Sequence, residues 1–176
     1  CFLDHAGPAD FDQDDAGMQV GRHPHTNLQT FSWMLNGEVL HKDSLGNAQV
    51  ITKNQVNVMT AGTGLNQGIS HTEQSVFPDT GGSKDAARGI SMVQLWIALP
   101  TDQNIERSFH HYPELPTWSE GNAEMVLTTG SYTNVLGETF EAPTIQYSKL
   151  VGIDVYFKQD GEATLSLESG FEYGIL

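Results

Sequence analysis

Phe31-Ser-Trp-Met-Leu35, Asn36-Gly37 and Glu38-Val-Leu-His41 follow one another without a break. A short apolar run ends on Asn-Gly, the dipeptide favoured in two-residue hairpin turns, and a second run leaves it. The same pattern of strand, turn and strand continues outward. Asp43-Ser-Leu-Gly-Asn47 reads as the next turn, before Gln49–Thr52 and Val56–Met59. Further strands are expected at Met92–Leu99, Met125–Thr128, Leu150–Phe157, Ala163–Leu167 and Phe171–Leu176. The apolar positions follow period two or form brief runs, and none keeps the 3.6 period of a helix over a useful length. The fold class is therefore all-β, an antiparallel barrel or sandwich.

Two stretches interrupt the pattern. Phe77–Gly89 reads as a long loop with one helical turn at Lys84–Arg88. Thr101–Asn122, with Pro113 and Pro116, reads as a connector, which puts a domain boundary after residue 122. Residues 1–122 then form one barrel with its connector, and residues 123–176 open a second lobe that lacks part of its strands. Both ends are apolar and abrupt, as in a piece of a longer chain.

Composition narrows the partners. Acids outnumber bases 22 to 8 in 176 residues, for a net charge of −14. Such a surface repels phosphate backbones and anionic lipid, so neither nucleic acid nor a bilayer is an expected partner. With 38% hydrophobic and 17% charged residues, the chain is not a disordered acidic tail. The single cysteine, Cys1, cannot form an internal disulfide, and there is no signal-type or membrane-spanning run, so a cytoplasmic setting is the default expectation.

Two residue pairs carry chemistry. In His23-Pro24-His25 the proline holds the tripeptide extended, and residues two apart in an extended chain share a face. Continued along the chain, that face holds Gln29, Phe31, Trp33 and Leu35, while the opposite one holds Thr26, Leu28, Thr30, Ser32 and Met34. The histidines are thus predicted to point into the barrel beside Gln29, Phe31 and Trp33, with Met59 also lining the pocket. In Gly68-Ile-Ser-His71-Thr-Glu73, His71 and Glu73 share a face in the same way. Three imidazoles and a carboxylate suit a divalent transition metal, and four ligands on an octahedral ion leave two open positions. His41 is read as a structural hydrogen-bonder, His5, His110 and His111 as loop residues, and Trp33 and Trp96 as core.

These motifs resemble the pirin family of the cupin superfamily. The resemblance is carried by His23-Pro-His25, Gly37, His41-Lys-Asp-Ser-Leu-Gly-Asn47, Met59-Thr-Ala-Gly62, Gly68-Ile-Ser-His71-Thr-Glu73 and Gln94-Leu-Trp-Ile-Ala-Leu-Pro100. It implies a bicupin of jelly-roll barrels, with a metal, Fe(II) first and Mn, Ni, Cu or Zn as alternatives, held by His23, His25, His71 and Glu73. It also implies dioxygenation of a flavonol by a quercetin 2,3-dioxygenase-type reaction with O2, in which Glu73 is the catalytic candidate as both ligand and proton acceptor. The alternative implied by the same family is a non-catalytic, metal-dependent regulator that binds a partner protein, either transcriptional or metabolic.

The chain departs from the family pattern in three places. Thr26-Asn-Leu-Gln29 replaces the usual Arg-Gly-Phe-Glu, so Gln29 cannot serve as a base. Thr63-Gly-Leu-Asn66 lengthens the glycine loop beside two of the ligands. No histidine follows Met125, so the second lobe offers no second site, and its open β-edge is expected to drive self-association.

Overall fold

Short apolar runs punctuated by glycine and asparagine fold, in a computed structural model that describes residues 1–176, as fourteen strands with no helix. The first nine are β1 (Phe2–Asp10), β2 (Gln19–His25), β3 (Leu28–Asn36), β4 (Val39–Asp43), β5 (Ala48–Ile51), β6 (Val56–Thr60), β7 (Ile69–Ser75), β8 (Gly89–Ala98) and β9 (Ser108–Tyr112). They form two antiparallel sheets, one ordered β1-β8-β3-β6-β9 and one ordered β2-β7-β4-β5. The remaining five are β10 (Thr117–Glu120), β11 (Ala123–Thr129), β12 (Ser131–Thr133), β13 (Thr139–Glu141) and β14 (Gly152–Phe157). They pair as β10-β11-β14 and β12-β13. No helix is long and apolar enough to cross a membrane.

The two larger sheets enclose an interior with an apolar end and a polar end. Met34, Val39, Ile51, Ile90 and Met92 fill the apolar end, with Phe11 and Met18 packed against them. Each such side chain contributes on the order of 1.5–3 kcal/mol by leaving water. Further along the same faces, cross-strand register places Ser32 beside Gln94, and His41 beside Glu73. The outer face of the five-stranded sheet is covered as well. Phe31, Val56, Val58 and Ile97 pack there with Trp33, Leu95, Tyr112, Leu115, Ile145 and Leu150. β3 and β6 are therefore buried on both faces, and every residue of β6 is buried.

That double burial corrects the predicted pocket lining. Asn27 adopts the left-handed conformation (φ 56°) between β2 and β3, where the chain passes from the four-stranded to the five-stranded sheet. Face parity does not survive this turn. Thr30, Ser32 and Met34 share the interior with the histidines, whereas Gln29, Phe31 and Trp33 point outward against residues 115–150. Gln29 is 2% exposed and donates from Nε2 to Thr60 Oγ1 (3.0 Å) and to the Ile145 carbonyl (3.5 Å). Met59 pairs with Thr30 and so does face the interior. We expect Gln29→Glu to set a carboxylate against that carbonyl and to cost about 2 kcal/mol or more. The melting temperature should then fall by about 4–8 °C, and an unchanged melting curve would contradict the outward placement.

Asn36-Gly37 is a corner and not a hairpin, because β3 and β4 lie in different sheets. Gly37 has φ +83°, and a Cβ there would lie 2.1 Å from the Gly89 carbonyl oxygen, so only glycine turns the chain at this point. Phe2–Asp10, not expected as a strand, pairs with β8. The expected connector holds β9 and β10, so His110 and His111 are strand residues, as is His5 in β1. Lys84–Arg88 forms no helical turn; a β-turn closed by Ala86 N and the Ser83 carbonyl (3.1 Å) stands nearby. Ala163–Leu167 and Phe171–Leu176 are irregular instead of strands, having no neighbour that pairs with their backbone.

Candidate metal centre

β2 and β7 run antiparallel with His23 opposite His71, so the two motifs meet on one face. The ring centroids of His23, His25 and His71 are separated by 4.8, 4.4 and 5.0 Å for the pairs 23–25, 23–71 and 25–71. His25 Nε2 and His71 Nε2 approach to 3.1 Å. His23 donates from Nδ1 to the Gly21 carbonyl (2.8 Å), so that in the neutral ring Nε2 carries the lone pair. The ligand atoms of the three imidazoles lie within 4.8 Å of one another.

Glu73 belongs to a second group of the same kind, made with His41 and His71. Its buried carboxylate accepts from Gln94 Nε2 at 3.1 Å to each oxygen and from Ser32 Oγ at 3.4 Å. Two neutral donors thus hold it through three contacts, and it takes part in no salt bridge. Trp96 is no core residue. It is 40% exposed, stands edge-on to His25 at 5.0 Å and donates from Nε1 to Gln94 Oε1 (3.3 Å). On the far side His41 stacks on Phe109 at 4.4 Å. Trp96 and Phe109 are the aromatic walls that strand alternation missed. Trp96 lies in the motif Gln94–Pro100, but Phe109 carries no sequence signal, because its strand reads as connector.

The electrostatics favour neutral imidazoles. Burial, reinforced by His41, His23 and His25, pushes the His71 imidazole down to about 3, with Asp43 opposing. Burial, and then His23, also lowers His25. Burial by itself would raise the Asp43 carboxyl, but hydrogen bonds from Asn47, His41 and the Leu45 amide outweigh it and keep it below the ordinary carboxylate range. Unfolded histidine binds its proton near pH 6.5, so acid stabilises the unfolded chain while folded His71 stays neutral. The His71 contribution is complete above pH 6.5 and is lost as the pH falls toward 3. Each pH unit in that window costs about tenfold in the folding equilibrium constant from this group. A melting temperature of the metal-free chain that stays flat from pH 7 to 4.5 would contradict it.

The donor set fits a transition-metal ion. Imidazole suits Fe, Ni, Cu and Zn, and only neutral imidazole ligates. Three convergent imidazoles, His25 and His71 among them held below the ordinary imidazole range by burial, with a carboxylate one group away, could hold such an ion.

A sequence model of the pirin family matches residues 1–97. The chain belongs to the pirin family. This pirin is 46% identical over its whole length to a Pseudomonas aeruginosa protein provisionally named quercetin 2,3-dioxygenase, of which it covers 50%. It is 38% identical over 135 residues to a pirin-like protein of Caulobacter vibrioides, covering 73% of this chain and 43% of that relative. A crystal structure of quercetin 2,3-dioxygenase from Acinetobacter baumannii superposes with a TM-score of 0.79 at 42% identity, covering 96% of this chain and 50% of that one. This pirin thus spans about half the length of the relatives it matches, and its stacked antiparallel sheets are the family's cupin architecture.

Proposed function

We propose that this pirin holds one divalent transition metal through His23, His25 and His71, with Glu73 as fourth ligand, and that with Fe(II) it dioxygenates a flavonol-like enediol such as quercetin. The observation that carries the reading is the convergence of three imidazoles on one face, with burial holding His25 and His71 below the ordinary imidazole range. The names of its relatives agree with it.

A bound ion would act as a Lewis acid and template for the substrate oxygen and O2. The chain's own residues do the rest. Glu73 is the group able to accept the flavonol hydroxyl proton, since Gln29 is neutral and faces away. Gln94 and Ser32 hold that carboxylate in place, and Trp96 closes the pocket beside His25 with an apolar ring. The three-stranded sheet ends on β14, whose outer edge offers unpaired backbone groups and the exposed Tyr156 and Phe157, which supports self-association through this lobe. The lone Cys1 supports a cytoplasmic setting.

The test is metal analysis of protein purified without added metal, followed by aerobic assay of the iron-loaded protein. Consumption of O2 with a flavonol supports the enzyme. Retained iron with no O2 consumed across a panel of flavonols and related enediols would end the oxygenase reading and leave the partner-binding regulator.

A further inference from the structure

His71 presents its two ring nitrogens in opposite directions. Nε2 faces His25, and Nδ1 meets His41 Nδ1 at 3.3 Å. The other nitrogen of His41, Nε2, lies 3.2 Å from Asp43 Oδ2. Both side chains of this second pair are shut from water, at 4% and 0% exposure. Asp43 is fully engaged. Its Oδ1 accepts from the amides of Leu45 (2.8 Å) and Asn47 (3.0 Å), and its Oδ2 accepts from Asn47 Nδ2 (2.9 Å). The register of β4 on β7 builds this line, placing Asp43 opposite His71 and His41 opposite Glu73.

With both imidazoles neutral, the protons in this line have one consistent arrangement. An ionised carboxylate only accepts, so His41 must carry its proton on Nε2. Neutral His41 then has a bare Nδ1, and the contact between the two Nδ1 atoms requires the proton to sit on His71. Neutral His71 is left with a bare Nε2, aimed at His25 and His23. We infer that Asp43 and His41 are positioning residues that set the tautomer of His71 through a two-step hydrogen-bond relay, leaving its Nε2 lone pair free for a cation. The inference rests on the metal reading above. It also makes His41 a support for the site and not a ligand, although its nitrogen lies in a group with His71 and Glu73.

Two near-isosteric variants separate these roles. In Asp43→Asn the amide oxygen keeps the two backbone donors, so the NH2 turns to His41 and reverses the line. His41 then donates from Nδ1, and the His71 proton is driven to Nε2. His41→Gln keeps the polarity, with an oxygen toward His71 and an NH2 toward Asp43. With Zn(II) as probe in competition with a chromophoric chelator, Asp43→Asn should weaken binding by about 10–100-fold, the usual scale for outer-shell changes. His41→Gln should stay close to the unmodified chain. Melting curves of the metal-free proteins control for folding.

Long-range 1H–15N spectra of the metal-free chain should show His41 protonated at Nε2 and His71 at Nδ1. Unchanged affinity in Asp43→Asn, or His41 protonated at Nδ1, overturns the relay. Loss of binding in His41→Gln as severe as in His71→Ala makes His41 a ligand and likewise overturns it. If the unmodified chain binds no Zn(II), the metal reading fails. The tautomers in the metal-free chain still decide the relay.

Discussion

His71→Ala should abolish metal binding at this centre. His71 is the one residue shared by both groups of ligand atoms, at 1% exposure, and its Nε2 is 3.1 Å from that of His25. Removing it takes one of three imidazoles from the first group and breaks the second. The loss should exceed the about 100-fold that the most costly outer-shell changes reach. Alanine also leaves a buried void, so a second variant, His23→Ala, is made at a half-buried position where packing is less at stake. Both should drop well below one metal per chain under conditions that saturate the unmodified protein. Full occupancy in the His23→Ala, His71→Ala double variant would place the ion elsewhere.

Glu73→Gln should separate chemistry from binding. The substitution keeps the size of the side chain and lets the amide oxygen still accept from Gln94 Nε2 and Ser32 Oγ, at the positions where these donors now stand 3.1 and 3.4 Å away. What it removes is a base. General-base catalysis is typically worth about 10²–10⁴-fold, so flavonol turnover by the iron-loaded protein should fall by that amount. Affinity should fall far less, because the three imidazoles stay in place. A variant that keeps its metal and its rate would show that the proton goes to another group. Equal losses in both measurements would make Glu73 a ligand and nothing more.

The strand class and the two candidate pairs, His23 with His25 and His71 with Glu73, are open to reading because they are local. Pro24 keeps His23 and His25 extended, and Ile69, His71 and Glu73 alternate along one strand, so each pair shares a face wherever the chain goes next. The Asp43–Asn47 turn was equally local, since Asp43 caps its own following amides. Asn36-Gly37 reads as a hairpin, and the structure differs, for a related reason. The dipeptide specifies a sharp turn but not whether the strands on either side pair, and here they enter different sheets.

What the amino-acid order determined by itself, then, is an all-β chain bearing His23, His25, His71 and Glu73 in two extended motifs. Tertiary structure decided which side chains meet them. One left-handed residue, Asn27, moves the chain between sheets and resets the alternation, so Ser32 and not Phe31 faces the centre. Both faces of β3 are buried, and a strand without a wet side carries no polarity pattern to reveal the inner one. Phe109, Gln94 and the Asp43–His41 pair come to the site through strand pairing across long sequence separations. Pairing of that kind depends on register in the folded sheet, which no local spacing encodes.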